Sequence, residues 1–405
     1  MRDTWDVIVI GAGAAGMFAA TRAALRGKRV LLLEKNSKPG VKILMSGGTR
    51  CNLTHATDRR GIIDAFGPAG RFLHSALAAL GPEELVAEFN AQGVATKVEA
   101  TGKVFPASNR ALDVASACRR MLESSGARLV LGEPVLDVSA APHGFEVKSH
   151  ARCFTAPAVI LTTGGMSYPG CGTTGDGYAW AKQLGHKIVP PRPALAPLTS
   201  SESWLHQLKG VALPDVQLAV GLTGAPIADR RRGSLLFTHF GLSGPAAMDI
   251  SRAVTSQPSA GWLLTCDFAP DTPRQVLADS LASEGKKSIA GALSSLLPRR
   301  LAEGLLVLEG VSPHKRVAEL SKKDLTRLVA AIKQLTISIT GTLGFKKAEV
   351  TAGGVALDEV DSRSMQSKIM PGLFLAGEVL DLDGPIGGYN FQAAFSTGWL
   401  AGEKV

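Results

Sequence analysis

The chain has 405 residues and a formal net charge of +9, and 45% of its residues are hydrophobic while 20% are charged. This length and composition predict a globular protein of two or three domains with sizeable cores. No segment reaches the ~18–20 consecutive apolar residues of a membrane span, and the short apolar run near the N-terminus is too short for a signal peptide. We therefore expect a cytoplasmic protein without a membrane partner.

The cysteines and histidines predict no metal site. The five cysteines are widely spaced and include no CxxC pair, which fits neither a disulfide framework nor a zinc site. The eight histidines include no HxxxH or HxH pair. The positive charges are scattered, apart from a run at 230–232, so they indicate a solvated surface with sites for an anionic cofactor or substrate and weigh against a nucleic acid partner.

The first predicted elements form a dinucleotide-binding motif. The apolar run at 7–10 is typical of a buried parallel strand, and GAGAAG at 11–16 connects it to a helical pattern over 17–26. Gly11 would allow the tight turn, Gly13 the approach of a pyrophosphate, and Gly16 close packing of the helix on the strand. The phosphates would then lie at the helix N-terminus. The contacts expected from this motif are Gly11, Gly13, Ala14, Ala15 and Gly16.

A second predicted strand at 29–33 is followed by an acidic residue. Glu34 lies where the motif requires a carboxylate for the ribose hydroxyls, and a carboxylate there disfavours the 2′-phosphate of NADP. We expect the adjacent Lys35 to contact the nucleotide as well. The motif alone leaves NAD and FAD open.

Further motifs follow in order: KPG at 38–40, SGGTRCN at 46–52, GKVFP at 102–106, TGG at 163–165, GTTGDG at 172–177, FTHFGLSGP at 237–245, AGGV at 352–355, GEVLD at 377–381 and GGYN at 387–390. Through these motifs the chain resembles the BaiN-like (YhiN-type) flavoproteins over nearly its full length. That family usually has a glycine where this chain has Thr49. The resemblance implies tightly bound FAD on a glutathione-reductase-type nucleotide domain.

The predicted fold class is α/β, with a discontinuous Rossmann-like FAD-binding domain, an inserted β domain and a small helical subdomain. We predict the FAD-binding domain over 1–190 and 342–405, because prolines at 190, 191 and 193 interrupt helices and strands at the start of the insertion. The β-rich substrate domain would cover 191–271 plus 335–341. The helical subdomain would cover 272–334, where proline and serine mark helix starts.

The resemblance implies further cofactor contacts in the N-terminal half. In the loop at 46–52, Arg50 would meet a phosphate or substrate anion through its planar fork, and Asn52 would contact a ring edge. Cys51 would be a small buried thiol, Lys42 would meet the cofactor or point to solvent, and the backbone near Val135 would bind adenine. The expected contacts are Lys42, Ser46, Gly47, Gly48, Arg50, Cys51, Asn52, Val135, Thr163, Gly164 and Gly165.

The C-terminal motifs would surround the flavin end of FAD. Glu378 or Asp381, after a predicted strand at 374–376, would accept hydrogen bonds from the ribityl chain. The helix that follows Gly388 would point its positive end at the pyrimidine edge and stabilise the negative charge that develops on reduction. The expected contacts are Gly377, Glu378, Asp381, Gly387, Gly388, Tyr389 and Asn390.

Three polar side chains are the catalytic candidates. His239 lies in the insertion that would cap the flavin, and an imidazole is the type of side chain that suits proton transfer coupled to hydride movement. A lone histidine is more often structural, and that interpretation stays open. Tyr389 would donate a proton or only stack, and Arg50 would hold a substrate anion.

One complete GxGxxG motif follows a predicted strand, so a dedicated nicotinamide domain is not expected. We predict an FAD-dependent oxidoreductase that transfers hydride between flavin and a small organic substrate, with NAD(P)H as a transient reductant. The resemblance also allows an oxygen-dependent oxidase of a small amine. A flavin-dependent RNA-modifying enzyme and a non-enzymatic flavin redox sensor are further alternatives, and the oligomeric state is left open.

Overall fold

A computed structural model describes residues 3–150, 152–257 and 261–405 of the chain. The chain divides into two compact units: unit 1 runs to Pro193 and resumes at Glu349, and unit 2 is Ala194–Ala348. Among the described helices, none has the length and apolar character needed to cross a membrane.

The strands are, in chain order, β1 (Asp3–Thr4), β2 (Val7–Ile10), β3 (Val30–Glu34), β4 (Thr54–His55), β5 (Thr96–Val98), β6 (Lys103–Pro106), β7 (Arg128–Leu131), β8 (Val135–Ala141), β9 (Gly144–Ser149), β10 (Cys153–Ala156), β11 (Ala158–Leu161), β12 (Ile188–Ala194), β13 (Leu198–Thr199), β14 (Ala212–Leu222), β15 (Ile227–Thr238), β16 (Gly241–Ser243), β17 (Trp262–Asp267), β18 (Leu335–Ile339), β19 (Gly341–Thr342), β20 (Val350–Val355) and β21 (Leu373–Leu375).

The α-helices are α1 (Ala14–Leu25), α2 (Val41–Thr49), α3 (Arg59–Ala65), α4 (His74–Ala79), α5 (Pro82–Ala91), α6 (Ala111–Ser124), α7 (Asp176–Gln183), α8 (Ser203–Gln207), α9 (Pro245–Ser256), α10 (Arg274–Ser283), α11 (Ile289–Ser294), α12 (Arg299–Leu308), α13 (Lys322–Lys333) and α14 (Tyr389–Lys404). Short 3₁₀ helices include Gly67–Leu73 and Gly377–Val379.

A parallel sheet forms the centre of unit 1. Its strands lie in the order β21-β11-β2-β3-β7, and every neighbouring pair is parallel. All residues of β2 and β3 are buried, as expected for strands covered on both faces, whose sequences are continuous apolar runs. Because the strands are parallel, their carboxyl ends meet at one edge, where nucleotides bind in folds of this kind.

Helix α14 brings the C-terminus of the chain back onto α1. Phe18 and Phe395 pack with their ring centroids 4.5 Å apart. A Cβ added at Gly398 would lie 2.2 Å from the carbonyl oxygen of Ala15, and one added at Gly402 would lie 2.3 Å from the carbonyl oxygen of Ala19. The two helices therefore approach closely along a face of small residues.

Smaller sheets complete unit 1, in the orders β1-β10-β9-β8, β4-β6-β5 and β12-β20. In unit 2 the sheet order is β18-β17-β14-β15-β16-β13-β19. The alternating buried and exposed residues of β18 indicate one face on a core, and strands and helices of unit 2 share that core. Residues 342–348, assigned above to the FAD domain, group with unit 2 because β19 pairs with β13.

Candidate functional site

The glycine-rich turn between β2 and α1 lies at the carboxyl edge of the parallel sheet. Gly11 has a φ of +101°, and an added Cβ there would lie 2.7 Å from the carbonyl oxygen of Thr162. At Gly16 an added Cβ would lie 1.8 Å from the carbonyl oxygen of Gly11. The packing of the turn itself therefore requires both glycines.

Gly13 has a different environment in the same turn. Its φ is −81°, and an added Cβ would meet no atom within 4 Å among the described residues. Gly13 caps α1, whose first turn contains no acidic residue and presents the N–H groups of Ala14 and Ala15. A helix N-terminus that faces open space in this way suits an anion such as a pyrophosphate.

Glu34 is fixed beside this turn at the end of β3. Its side chain is buried; Oε2 accepts a hydrogen bond from the N–H of Ala12 at 2.7 Å, and Oε1 accepts one from the N–H of Asn36 at 2.8 Å. Each carboxylate oxygen has capacity for a further donor. The carboxylate is thus positioned to accept hydrogen bonds from ribose hydroxyls.

The residues near Glu34 differ in their surroundings. Lys35, an expected nucleotide contact, places its Nζ 2.6 Å from Thr174 Oγ1 and 2.6 Å from Asp176 Oδ2. Val135 begins β8, and just before it the N–H of Glu133 donates to the carbonyl oxygen of Glu34 at 3.0 Å. The structure therefore brings the segment of Val135 to the end of β3 and pairs Lys35 with the 172–177 segment.

Helix α2 is broken near its C-terminus. Ser46 is extended, and Gly47 and Gly48 have φ values of 54° and 66°. Thr49 and Cys51 also have positive φ, at 68° and 60°. This conformation explains the glycine usual at the position of Thr49 in the resembling flavoproteins, because a threonine there costs on the order of 1 kcal/mol.

The side chain of Arg50 forms an ion pair, and the thiol of Cys51 is buried. Arg50 Nη1 lies 2.6 Å from Glu99 Oε1, and the guanidinium carbon lies 4.0 Å from the ring centroid of Phe105. The structure therefore pairs Arg50 with an acid of unit 1, and its contact with a phosphate or substrate anion stays a prediction. Burial raises the pKa of Cys51 to about 12, so this thiol stays protonated at neutral pH and is a poor nucleophile.

Lys42, Ser167 and Glu378 form a partly buried polar cluster, in which Ser167 is the buried member. Lys42 Nζ donates to Glu378 Oε2 at 2.5 Å and to Ser167 Oγ at 2.7 Å. Ser167 Oγ donates to Glu378 Oε1 at 2.7 Å, and the N–H of Thr351 donates to the same oxygen at 2.8 Å. Lys42 therefore faces Glu378, and the cluster joins α2, the loop after β11, β20 and the turn after β21. Ser167 and Thr351 were not predicted, since neither lies in a recognisable motif position.

The loop after β11 contains the predicted residues Thr163, Gly164 and Gly165. Thr163 Oγ1 is buried and has no hydrogen-bond partner among the described residues, and Gly164 has a φ of +72°. An added Cβ at Gly165 would lie 2.4 Å from Thr351 Oγ1, which also accepts the N–H of Ser167 at 3.0 Å. The loop is therefore anchored on β20 and leaves one buried hydroxyl unsatisfied.

The turn after β21 is held from two sides. The N–H of Gly377 donates to Thr397 Oγ1 at 2.9 Å, and the N–H of Gly353 donates to Asp381 Oδ1 at 3.0 Å. Burial and the neighbouring Asp383 raise the pKa of Asp381. Both acids predicted for the ribityl chain, Glu378 and Asp381, thus accept N–H groups of β20.

The start of α14 packs on the chain that follows the 46–52 loop. Gly387 and Gly388 have φ values of 139° and 96°. An added Cβ at Gly388 would lie 2.4 Å from the carbonyl oxygen of Thr54 and 2.8 Å from Asn52 Oδ1. This Asn52 oxygen is buried and has no hydrogen-bond partner among the described residues, as expected for an acceptor that a ligand satisfies.

Tyr389 packs on His55, a residue that the sequence analysis did not select. The two rings are stacked with centroids 4.7 Å apart, and His55 Nδ1 lies 3.1 Å from the carbonyl oxygen of Gly387. Asn390 bonds the preceding loop, with Oδ1 2.8 Å from the nitrogen of Gly384 and Nδ2 2.9 Å from its oxygen. His55 lies three residues after the SGGTRCN motif, and this proximity is the sequence feature that could have identified it as a site residue.

His239 belongs to unit 2. Its side chain is exposed, and its ring packs edge-on against Phe240 with centroids 4.9 Å apart. The turn that carries it is closed by a hydrogen bond from Thr238 Oγ1 to the carbonyl oxygen of Gly241 at 3.0 Å. A proton-transfer role for His239 stays a prediction.

Unit 1 fits a bound dinucleotide by three observations. The space in front of Gly13 is open, the carboxylate of Glu34 is fixed beside it, and within the described chain two buried polar atoms near the site, on Asn52 and Thr163, lack partners. The described residues contain no group of histidine, cysteine and acidic side chains that could hold a metal ion.

Comparison with known sequences identifies full-length relatives. The family described as HI0933-like protein Rossmann domain matches residues 5–404. The chain is 35% identical to a ribosomal RNA dihydrouridine synthase of Escherichia coli, covering 100% of this chain and 98% of the relative. It is 33% identical to the Haemophilus influenzae protein of that name, with 98% of both chains covered. It is 31% identical to a 3-dehydro-bile acid delta(4,6)-reductase of Clostridium scindens, again with 98% of both covered.

Solved structures share the fold. A 3-ketosteroid-delta4-(5alpha)-dehydrogenase from Rhodococcus jostii aligns with a TM-score of 0.50 at 17% identity, covering 99% of this chain and 96% of that one. A 3-ketosteroid delta1-dehydrogenase from Sterolibacterium denitrificans aligns at 0.51 and 15%, covering 99% of both. The predicted Rossmann-type FAD-binding α/β fold and the family resemblance are confirmed. The chain belongs to the HI0933-like family and is an FAD-dependent oxidoreductase.

Proposed function

We propose that this protein reduces a carbon–carbon double bond conjugated to a carbonyl group, with NAD(P)H as the reductant. The observation that carries this proposal is the chemistry shared by the names of three full-length relatives. Dihydrouridine is uridine reduced at C5–C6, a double bond conjugated to the C4 carbonyl. The double bonds of a 3-oxo-Δ4,6 steroid are likewise conjugated to its ketone. In both cases hydride adds at a carbon remote from the carbonyl along the conjugated system, and a proton adds to complete the reduction.

Residues of unit 1 would hold FAD, which supplies the hydride when bound. The N-terminus of α1 would bind the pyrophosphate, and Glu34 would accept the ribose hydroxyls. The N-terminus of α14 would stabilise negative charge at the pyrimidine edge. Tyr389, packed on His55, is our candidate proton donor, and His239 is the alternative.

NAD(P)H would reach this site transiently. The chain contains one complete GxGxxG motif after a parallel strand, and that motif is assigned to FAD. A reductant that binds without a domain of its own would leave before the substrate enters. The competing amine oxidase needs no nicotinamide, so the two functions differ in the electron donor.

Two molecules are candidates for the acceptor of the hydride. The relative from C. scindens favours a small enone, which is the acceptor size that the sequence analysis predicted. The relatives from E. coli and H. influenzae favour a uridine of ribosomal RNA. Both acceptors present the same reactive group.

Product analysis tests the proposal. The holoprotein and NADPH are incubated without oxygen with a 3-oxo-Δ4,6 steroid or with protein-free ribosomal RNA, and mass spectrometry follows the gain of two hydrogens. We expect one acceptor to gain them, and Gly13→Val, which should lack FAD, to produce none. Oxidation of a small amine with formation of peroxide, and no reduced product from either acceptor, would overturn the proposal in favour of the oxidase.

A further inference from the structure

A basic groove lies on the helical segment between β4 and α5 of unit 1. Its volume is about 800 Å³. It is formed by α3, the 3₁₀ helix Gly67–Leu73 and the start of α4. The lining residues are Arg59, Arg60, Ile63, Asp64, Gly67, Pro68, Arg71 and His74.

The charge of this groove is only partly compensated. Arg59 pairs with Glu84, and Arg60 lies 3.8 Å from Asp64 in a pair whose side chains are largely exposed. Arg71 is exposed and has no ion pair within the described part of the chain. Exposed ion pairs of this kind contribute little to the free energy of folding. Their arginines can therefore exchange a carboxylate partner for a phosphate.

The arginine run at 230–232 lies in unit 2, apart from this groove in the chain. Arg232 Nη2 lies 2.6 Å from Asp215 Oδ2 and 2.5 Å from Asp271 Oδ2, and Arg231 Nε lies 3.0 Å from Asp229 Oδ2. Two of the three arginines in the densest positive run are therefore paired with acids of unit 2, and Arg230 is exposed with no ion pair among the described residues. The basic groove, whose residues are spread over 59–74, was not recognised from the sequence.

The segment that forms the groove packs on the loop before α14. Phe66, between α3 and the 3₁₀ helix, lies against Gly384, where an added Cβ would be 2.7 Å from its Cζ. Asn390 of α14 holds the same Gly384 through its side-chain amide. At its other end the segment follows His55, which stacks on Tyr389. The groove is thus attached at two points to the start of α14, where the flavin end of FAD is proposed to lie.

We propose that this groove, through Arg59, Arg60 and Arg71, binds the sugar–phosphate backbone of RNA and so places a uridine at the flavin. This inference rests on the proposed function with RNA as acceptor. Enzymes that modify a base in RNA or DNA take it out of the stack, and contacts to phosphates set the register while the base is displaced. A basic groove attached to the flavin end of the site meets this requirement.

Binding of a fluorescein-labelled, uridine-containing RNA hairpin to the holoprotein tests the groove, with anisotropy measured over a series of salt concentrations. We expect Arg60→Ala and Arg71→Ala each to weaken binding about threefold or more at 0.2 M salt, and to lower the slope of log K against log salt by about 0.7. Arg119→Ala is the matched control, since Arg119 is also an exposed helical arginine paired with a carboxylate four residues on.

The control should bind RNA as the unaltered protein does, and all variants should keep their flavin content and visible spectrum. Equal losses in the groove variants and in Arg119→Ala would overturn the inference. Slower bleaching of the flavin by NADPH in the groove variants, with RNA binding unchanged, would overturn it in favour of a nicotinamide site. Reduction of a small enone without any RNA binding would overturn the groove and leave the proposed function standing.

Discussion

At the residue scale, Gly13 and Gly16 lie in one turn but serve different physical purposes. We predict that Gly13→Val folds with nearly unchanged apoprotein stability, since an added Cβ at this position would meet no described atom within 4 Å. The variant should bind no FAD, because its side chain enters the space proposed for the pyrophosphate. The flavin absorbance per protein and urea denaturation of the apoprotein measure the two effects.

Gly16→Ala supplies the contrast. Its Cβ would lie 1.8 Å from the carbonyl oxygen of Gly11, so we expect the free energy of unfolding to fall by about 3 kcal/mol or more. A Gly13→Val protein that retains its full flavin content would show that the pyrophosphate lies elsewhere.

Lys42 and Glu378 are far apart in the sequence but in contact in the fold, so we expect the effects of their substitutions on stability to be coupled. Lys42→Met leaves the carboxylate of Glu378 and the hydroxyl of Ser167 without their cationic partner, which should lower the free energy of unfolding by about 2 kcal/mol. Combined with Glu378→Gln, the loss should be smaller than the sum of the two single losses. Urea denaturation of the four apoproteins gives the coupling, and strictly additive losses would show that the cluster does not act as a unit.

The expected site residues were chosen by local sequence, and this explains where the predictions stop. Gly11, Gly16 and Glu34 serve a turn built from neighbouring residues, so a motif can identify them. The partner of Lys42 lies 336 positions away, and that of Lys35 lies 141 positions away. Such pairings depend on how the whole chain folds, and no spacing rule reveals them.

At the element scale, the close contact of α1 and α14 predicts a sensitive position. Gly398→Ala would place a Cβ 2.2 Å from the carbonyl oxygen of Ala15 and force the helices apart, which should lower the free energy of unfolding by about 2–3 kcal/mol. FAD should also be lost more readily, because the N-terminus of α1 moves.

Gly304→Ala is the matched control, since Gly304 also lies inside a helix, α12, and its added Cβ would make an ordinary contact of 3.5 Å with Leu208. Thermal unfolding and the rate of FAD release are measured for both variants. Equal stability of Gly398→Ala and Gly304→Ala would contradict the close packing of the two helices.

The sequence pattern of α14 predicted its hydrophobic residues but not this contact. Phe391, Phe395 and Trp399 recur every four residues, a spacing typical of a helix face that packs on a core, and Phe395 is fully buried. Gly398 and Gly402 add nothing to hydrophobic periodicity, so their role is visible only once α1 lies beside them. Helix α1 likewise begins at Ala14, earlier than predicted, because the final glycine of the motif is already helical.

From the buried His186 we predict how the stability of unit 1 depends on pH. His186 has Nδ1 3.1 Å from Glu359 Oε2 and Nε2 2.8 Å from Ser367 Oγ. Burial lowers its pKa from the usual 6.5, against a smaller opposite effect of Glu359. The unfolded chain therefore binds this proton more readily, and the free energy of unfolding should fall as pH drops below 6.5 and be level above it.

The variant His186→Gln should lose this part of the pH dependence, because glutamine can bond the same partners without titrating. Urea denaturation of both proteins at about pH 5.5 and about pH 7.5 tests the difference between them. A variant with the same slope as the unaltered protein would assign the pH dependence to other groups.

At the scale of the whole molecule, the fold was predictable because its signals recur at both ends of the chain. The N-terminal motif and the C-terminal GEVLD and GGYN motifs belong to one unit, interrupted by an insertion. The basic groove was not predictable, because its arginines are spread along a helical segment and gain a common direction only in the folded chain. The net charge of the chain does not show which of its positive side chains are paired with acidic residues in the fold.

The most direct test of the central claim is the visible spectrum of the purified protein, followed without oxygen as NADH or NADPH is added. We predict that nicotinamide removes the flavin absorbance, and that a 3-oxo-Δ4,6 steroid or uridine-containing ribosomal RNA restores it. Bleaching by small amines alone, with peroxide formed once air returns, would contradict the reductase. A colourless protein that takes up no FAD on reconstitution would contradict the site itself.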